Sequence, residues 1–242
     1  MPLPKIATPT YELVLPSTGK AIKYRPFLVK EEKVLILALE SQDTKQITNA
    51  IKQVLKDCIL TKGIKVEELP SFDIEYIFLN VRGKSVGESV ELIITCADDG
   101  VTQVPVTIYI DEIKVQKDPE HNTDIHLDPT LVLRMKYPSL EQFIKNNFDF
   151  GSEQSSSNID KSFDIIISCI EGIYSNEDAW AASDCTKKEL QEFIDSMNTN
   201  QFKLIEKFFE TMPKLSHTIK VKNPKTGKEN EVVLEGLTSF FG

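Results

Sequence analysis

The 242-residue chain is short of several things that chemistry usually needs. Arginine stands only at positions 25, 82 and 134, histidine only at 121, 126 and 217, and tryptophan only at 180. Proteins that grip phosphates favour the planar, bidentate arginine side chain, so its scarcity argues against that role. A formal net charge of −9 argues the same way, because nucleic-acid binding leaves a basic footprint. No stretch approaches the ~18 consecutive apolar residues of a membrane span. The first residues, Met1-Pro-Leu-Pro-Lys-Ile, lack the apolar core of a secretory signal. The four cysteines, Cys58, Cys96, Cys169 and Cys185, lie far apart with no Cys-x-x-Cys, which suits reduced, buried thiols in an intracellular protein. What is present, 40% apolar and 27% charged residues, provides for a packed core and excludes wholesale disorder.

The patterning predicts an α+β protein. Tyr11, Leu13 and Leu15 alternate, Pro16-Ser-Thr-Gly-Lys20 turns, and Ala21 to Tyr24 returns, a hairpin whose Gly19 supplies positive φ. The same Pro-x-Thr-Gly-Lys chemistry recurs in Asn223 to Lys228, between extended runs at His217–Val221 and Glu231–Leu234. Between these brackets, Val29 to Leu39 is dense in helix formers. Asp43-x-x-Gln46 starts a second helix with Ile47, Ala50, Ile51, Val54, Leu55 and Cys58 on one apolar stripe. A third helix runs from Phe72 to Arg82 and is expected to end at the Gly83 and Gly87 breakers. The period then falls to two: Val90 to Cys96 and Val104 to Ile110 flank Asp98-Asp-Gly100 as a hairpin, and Ile113 and Val115 extend its second strand. After a polar loop from His121 to Asp128 comes a strand at Leu131–Met135 and a short helix begun by Ser139-x-x-Gln142. Gly151 to Asn158 reads as a flexible linker. Beyond it, Phe163, Ile166, Ile167, Ile170 and Ile173 share a helical stripe. Thr186-x-x-Glu189 caps another helix, and Thr199 or Asn200 caps a last one carrying Phe202, Ile205, Phe208 and Phe209, stopped by Pro213.

The expected architecture is therefore terminal β-hairpins and a central antiparallel sheet with packed helices, plus a mostly helical lobe in the C-terminal half. The expected divisions are an α+β body at 1–150, the linker at 151–158, the lobe at 159–212, and a closing hairpin and tail at 213–242 that return to the body.

Catalytic and ligand motifs fail on spacing. The Gly19-Lys20 and Gly227-Lys228 pairs lack both the upstream glycine and the following Ser/Thr of a phosphate loop. Cys96, His121 and His126 flank one sheet, but zinc sites want short paired spacings, and these are absent. Asp98-Asp99 and Asp111-Glu112 do not fit a calcium loop, and there is no Gly-x-Ser-x-Gly elbow. No cofactor and no metal is expected.

Five segments, in order along nearly the whole chain, resemble one family: Arg25-Pro-Phe-Leu-Val-Lys-Glu-Glu-Lys33, Leu69-Pro-Ser-Phe-Asp-Ile-Glu-Tyr76, Val81-Arg-Gly-Lys-Ser-Val-Gly-Glu88, Phe202-x-x-Ile205-x-x-Phe208-Phe-x-x-Met212-Pro213, and Gly236-Leu-Thr-Ser-Phe-Phe241. The chain resembles the baseplate hub protein family of T-even-type, contractile-tailed bacteriophages. That resemblance implies tail morphogenesis without catalysis or cofactor, and partners among other baseplate hub or tail proteins. It also implies a location in the host cytoplasm during assembly or in the virion's baseplate. A hub-associated hydrolase using Cys96 or a carboxylate pair is the alternative. An assembly role needs protein-binding surfaces, for which Phe240, Phe241, Trp180, Phe202 and Phe209 are the candidates. For each, packing within the chain is the competing role: the lobe's own core for Phe202 and Phe209, the bracket hairpins for Phe240 and Phe241, a helix end for Trp180.

Overall fold

A computed structural model describes residues 6–147, 158–236 and 239. Strands β1 (Tyr11–Val14) and β2 (Ala21–Tyr24) pair antiparallel around Gly19, whose φ of +69° is the left-handed conformation the turn demands. Helix α1 (Val29–Glu40) follows, then α2 (Thr44–Cys58), where the Asp43 carboxylate accepts from the Lys45 and Gln46 amides. The α2 stripe from Ile47 to Cys58 is buried as expected. Helix α3 (Ser71–Val86) does not stop at Gly83. A methyl there would lie 2.7 Å from Ile110 Cδ1, so this glycine serves close packing inside a helix, and Gly87, at φ +137°, ends it.

Strands β3 (Ser89–Thr95) and β4 (Gln103–Tyr109) form the expected hairpin, with Gly100 at φ +67°. Ile113 and Val115 do not prolong β4. A 3₁₀ turn at Ile110–Glu112 redirects the chain, and β5 (Lys114–Gln116) pairs with a strand a hundred residues away. The segment expected as a loop at 121–128 contains β6 (Asp124–Asp128), paired with β7 (Leu131–Met135); its Ile125 and Leu127 are buried between polar neighbours. Helix α4 (Leu140–Asn147) follows, and α5 (Asn158–Ser168) begins at the last residue of the expected linker, the rest of which lies outside the described residues.

The helical stripe through Ile173 breaks at Ser168. Ile170 and Ile173 belong to strand β8 (Ile170–Ser175), which pairs with β7. Residues three apart normally face opposite sides of a strand. Here the register shifts between Arg134 and Met135, so Ile170 opposes Met135 while Ile173 opposes Leu133. The extra residue puts both isoleucines on one face, which is why helical spacing survives in a strand. Strand β9 (Ala179–Ala181) closes this sheet in the order β6-β7-β8-β9. Helix α6 (Lys187–Asp195) carries the expected Thr186–Glu189 capping box. Helix α7 (Thr199–Thr211) is capped by Asn198, one residue earlier than expected, because its carboxamide oxygen reaches the Asn200 and Gln201 amides. Strands β10 (Lys214–Lys222) and β11 (Glu229–Glu235) form the closing hairpin, and β10 also pairs with β5.

Two apolar clusters organise this α+β fold. The first gathers both terminal hairpins, α2, α3 and β3–β4; the second gathers β6–β8 and α5–α7. Strands β6 and β7 thus contribute Ile125, Leu127, Leu133 and Met135 to the same cluster as the later helices.

Polar ties hold the turns in place. Fully buried Asn223, in the β10–β11 turn, donates to Asp98 Oδ1 at 2.9 Å and Asp99 Oδ2 at 3.0 Å in the β3–β4 turn. Asn230 Oδ1 accepts from the Asp98 amide at 2.9 Å. Asn223→Asp keeps the shape but sets a third carboxylate against two. It is expected to cost about 2 kcal/mol or more at neutral pH, the order of an unmade buried hydrogen bond, with the deficit shrinking in acid as the carboxylates protonate. Urea unfolding of both proteins at neutral and acidic pH checks this.

Candidate partner-binding site

The residues weighed as a metal or catalytic set are dispersed. Cys96 is fully buried in the first cluster, where burial and then Asp98 and Asp99 push its thiol pKa up. His126 is exposed on β6. His121 lies among aromatic rings, 5.5 Å from Tyr137 and 5.1 Å from Phe208 between centroids. The Thr211 hydroxyl donates to the Lys207 carbonyl at 2.7 Å, so its oxygen accepts from His121 Nδ1–H at 2.9 Å, which leaves Nε2 to accept from the Tyr137 hydroxyl at 3.1 Å. Burial lowers the His121 pKa. This is a hydrogen-bonded packing histidine whose ring partners are hydroxyls. Among the described residues, no three His, Cys, Asp or Glu side chains group to hold a metal ion.

The aromatic candidates fall in different places. Phe202 stacks on Phe163 at 5.6 Å and Phe209 meets Phe208 edge-on at 5.1 Å; both are partly buried against the second cluster. Phe240 and Phe241 lie outside the described residues. Trp180 is not at a helix end. It is the middle residue of β9, whose three residues are all exposed.

The register explains Trp180. Across one face of the four-stranded sheet, Ile125, Leu133, Ile173 and Trp180 stand directly opposite one another, strand by strand. The first three are at most 7% exposed; Trp180, at the sheet edge, is 45% exposed. The row starts in the core and emerges at its rim. Between Trp180 and α6 runs a groove of about 330 Å³, lined by Leu131, Ile173, Cys185, Leu190 and Phe193, with Glu189 its one charged residue. Gly172 permits the close approach of β9: a methyl there would stand 3.0 Å from the Trp180 carbonyl oxygen. An aromatic side chain beside an apolar groove can anchor a protein partner. The groove walls Leu131 on β7, Cys185 in the bend before α6 and Phe193 on α6 are not among the partner-binding candidates read from sequence, because only the fold brings these segments together.

The arrangement defines an α+β protein with an apolar groove at an exposed sheet edge. The model of the family described as T4 bacteriophage base plate protein matches residues 8–242, and the chain belongs to that family. The chain is also similar to the baseplate hub assembly protein gp26 of Enterobacteria phage T4, with 25% identity over 227 residues, 92% of this chain and 93% of that protein. No solved structure matches it. Among the described residues, no helix is long and apolar enough to cross a membrane.

Proposed function

We propose that this protein is a non-enzymatic assembly factor of the phage baseplate hub, working through contacts with other hub or tail proteins in the infected cell. The observation that carries the reading is its similarity, along almost its full length, to a hub assembly protein. The hydrolase alternative has no support: Cys96 is a core thiol, and the His121 ring is bonded to hydroxyls rather than to a cysteine or carboxylate. Arg25 is engaged by Glu31 and Arg134 by Asp124, carboxylates of the chain itself, which fits a protein that does not bind nucleic acid.

Within this reading, the Trp180 groove takes a side chain from a hub partner, and the Phe240-Phe241 end offers a second contact. Trp180→Ala is expected to melt within about 2 °C of the parent, because the side chain is half exposed, yet to weaken partner capture roughly thirtyfold, as loss of an aromatic anchor worth about 2 kcal/mol does. The measurements are thermal melting, the dissociation constant for the hub protein that co-purifies from infected cells, and the yield of complete baseplates. Phe240→Ala with Phe241→Ala is the parallel arm. Full baseplate yield from both variants would remove both sites from the proposal.

A further inference from the structure

Helix α1 carries an apolar surface on the side turned away from the core. Its only fully buried residues are Glu31 and Ala38. Val29 is 79% exposed, Ile36 50% and Leu37 55%, and Val34 and Leu39 flank them at 44% and 40%. Val29, Lys33, Ile36, Leu37 and Glu40 follow the spacing i, i+4, i+7, i+8, i+11, so they form one continuous face. Large apolar residues on a helix are normally turned toward a core or a partner. Here α2 is the element that packs most extensively on it, and these apolar residues stay exposed. The helix is also held firmly: buried Glu31 accepts from Arg25 Nη2 at 2.9 Å and from the Leu28 amide at 2.7 Å, which fixes its first turn. A rigid, preformed face loses little freedom on binding.

We infer that this face of α1 pairs with α1 of a second copy of the chain, antiparallel about a two-fold axis. Charge selects the occupant. Lys33 lies toward the start of the face and Glu40 at its end, with Ile36 and Leu37 between them, and neither charge pairs with another described residue. A two-fold crossing centred between Ile36 and Leu37 sets each Ile36 against the second copy's Leu37. The same operation sets each Lys33 beside the second copy's Glu40, so the surface is complementary to itself. A parallel arrangement would put like charges together. The ion pairs at the rim set orientation more than affinity. One helix face is small beside the roughly 800 Å² per partner of a standard interface, so the association is weak and depends on concentration.

Sedimentation of the full chain over a broad concentration range tests this. The weight-average mass is expected to climb from 27.4 kDa toward the dimer. Ile36→Glu and Lys33→Glu are each expected to raise the dissociation constant about tenfold or more, with melting unchanged because both sites are exposed. The charge swap Lys33→Glu with Glu40→Lys is expected to restore affinity to within about threefold of the parent, since self-pairing in this register regains both ion pairs. A chain that stays monomeric at every concentration overturns the inference. So does a swap no better than Lys33→Glu alone. If the chain is monomeric and Ile36→Glu lowers baseplate yield, the face belongs to a different protein and the second-copy inference fails.

Discussion

Replacing Arg25 with methionine is expected to lower stability by about 3 kcal/mol at neutral pH, roughly 6–12 °C of melting temperature for a chain of this size. Arg25 and Glu31 form a buried ion pair, their side chains 15% and 4% exposed. Burial by itself pushes the Glu31 carboxyl up. The hydrogen bonds from Arg25, Leu28 and Lys30, with the Arg25 charge, outweigh that and hold its pKa down to about 2 from an ordinary value of 4.5. A pKa depressed in the folded state stabilises the fold above the unfolded value, and that stabilisation is lost as pH falls toward the folded one. The difference of two to three units corresponds to about 3 kcal/mol, at about 1.4 kcal/mol per unit. The wild-type protein should therefore lose this contribution between about pH 5 and pH 2, and Arg25→Met should make that part of the profile shallower, the Leu28 and Lys30 hydrogen bonds keeping their share. Arg25→Lys keeps the charge but not the forked geometry and is expected to fall between the two. Denaturant unfolding from pH 7 to pH 2 is the measurement. An Arg25→Met protein with the parent's stability and acid slope would show that the pair does not anchor α1.

Phe208→Ala should destabilise by about 3–5 kcal/mol, the usual cost of removing a buried phenylalanine together with the cavity left behind. Phe208 is 2% exposed and touches three rings: His121 at 5.1 Å, Tyr137 at 5.9 Å and Phe209 at 5.1 Å. Tyr137 in turn meets Phe72 of α3 edge-on at 5.0 Å, so this aromatic stack links the second cluster to a helix of the first. A second readout separates loss of the ring from general loosening. With Phe208 gone, water reaches His121, and its pKa, lowered by burial, should rise toward the ordinary 6.5. Titration of the His121 ring protons by NMR follows this. A stability loss below about 1 kcal/mol would mean the site collapses without a cavity and that the stack is not a structural link.

The sequence by itself determined the features whose physics is complete within a few residues. The α2 stripe is one: every position from Ile47 to Cys58 that the helical period selects is buried. The glycines at 19, 100 and 227 are another, each at the positive φ its turn requires. The caps at Asp43 and Thr186 satisfy amides two or three residues away. Tertiary structure alone decided what depends on residues far apart in the chain. Lys114–Gln116 became a separate strand because its partner is Lys214–Ser216. Ile170 and Ile173 left a helix that their spacing suited because β7 offered a ladder and one bulge restored their common face. Gly83 stayed inside a helix, with Ile110 occupying the space a side chain there would need. The exposure of Trp180 and of the outer face of α1 belongs to the same class. An apolar residue in sequence signals only that burial is favourable, and whether the fold or a partner supplies the cover depends on which faces the neighbouring elements reach.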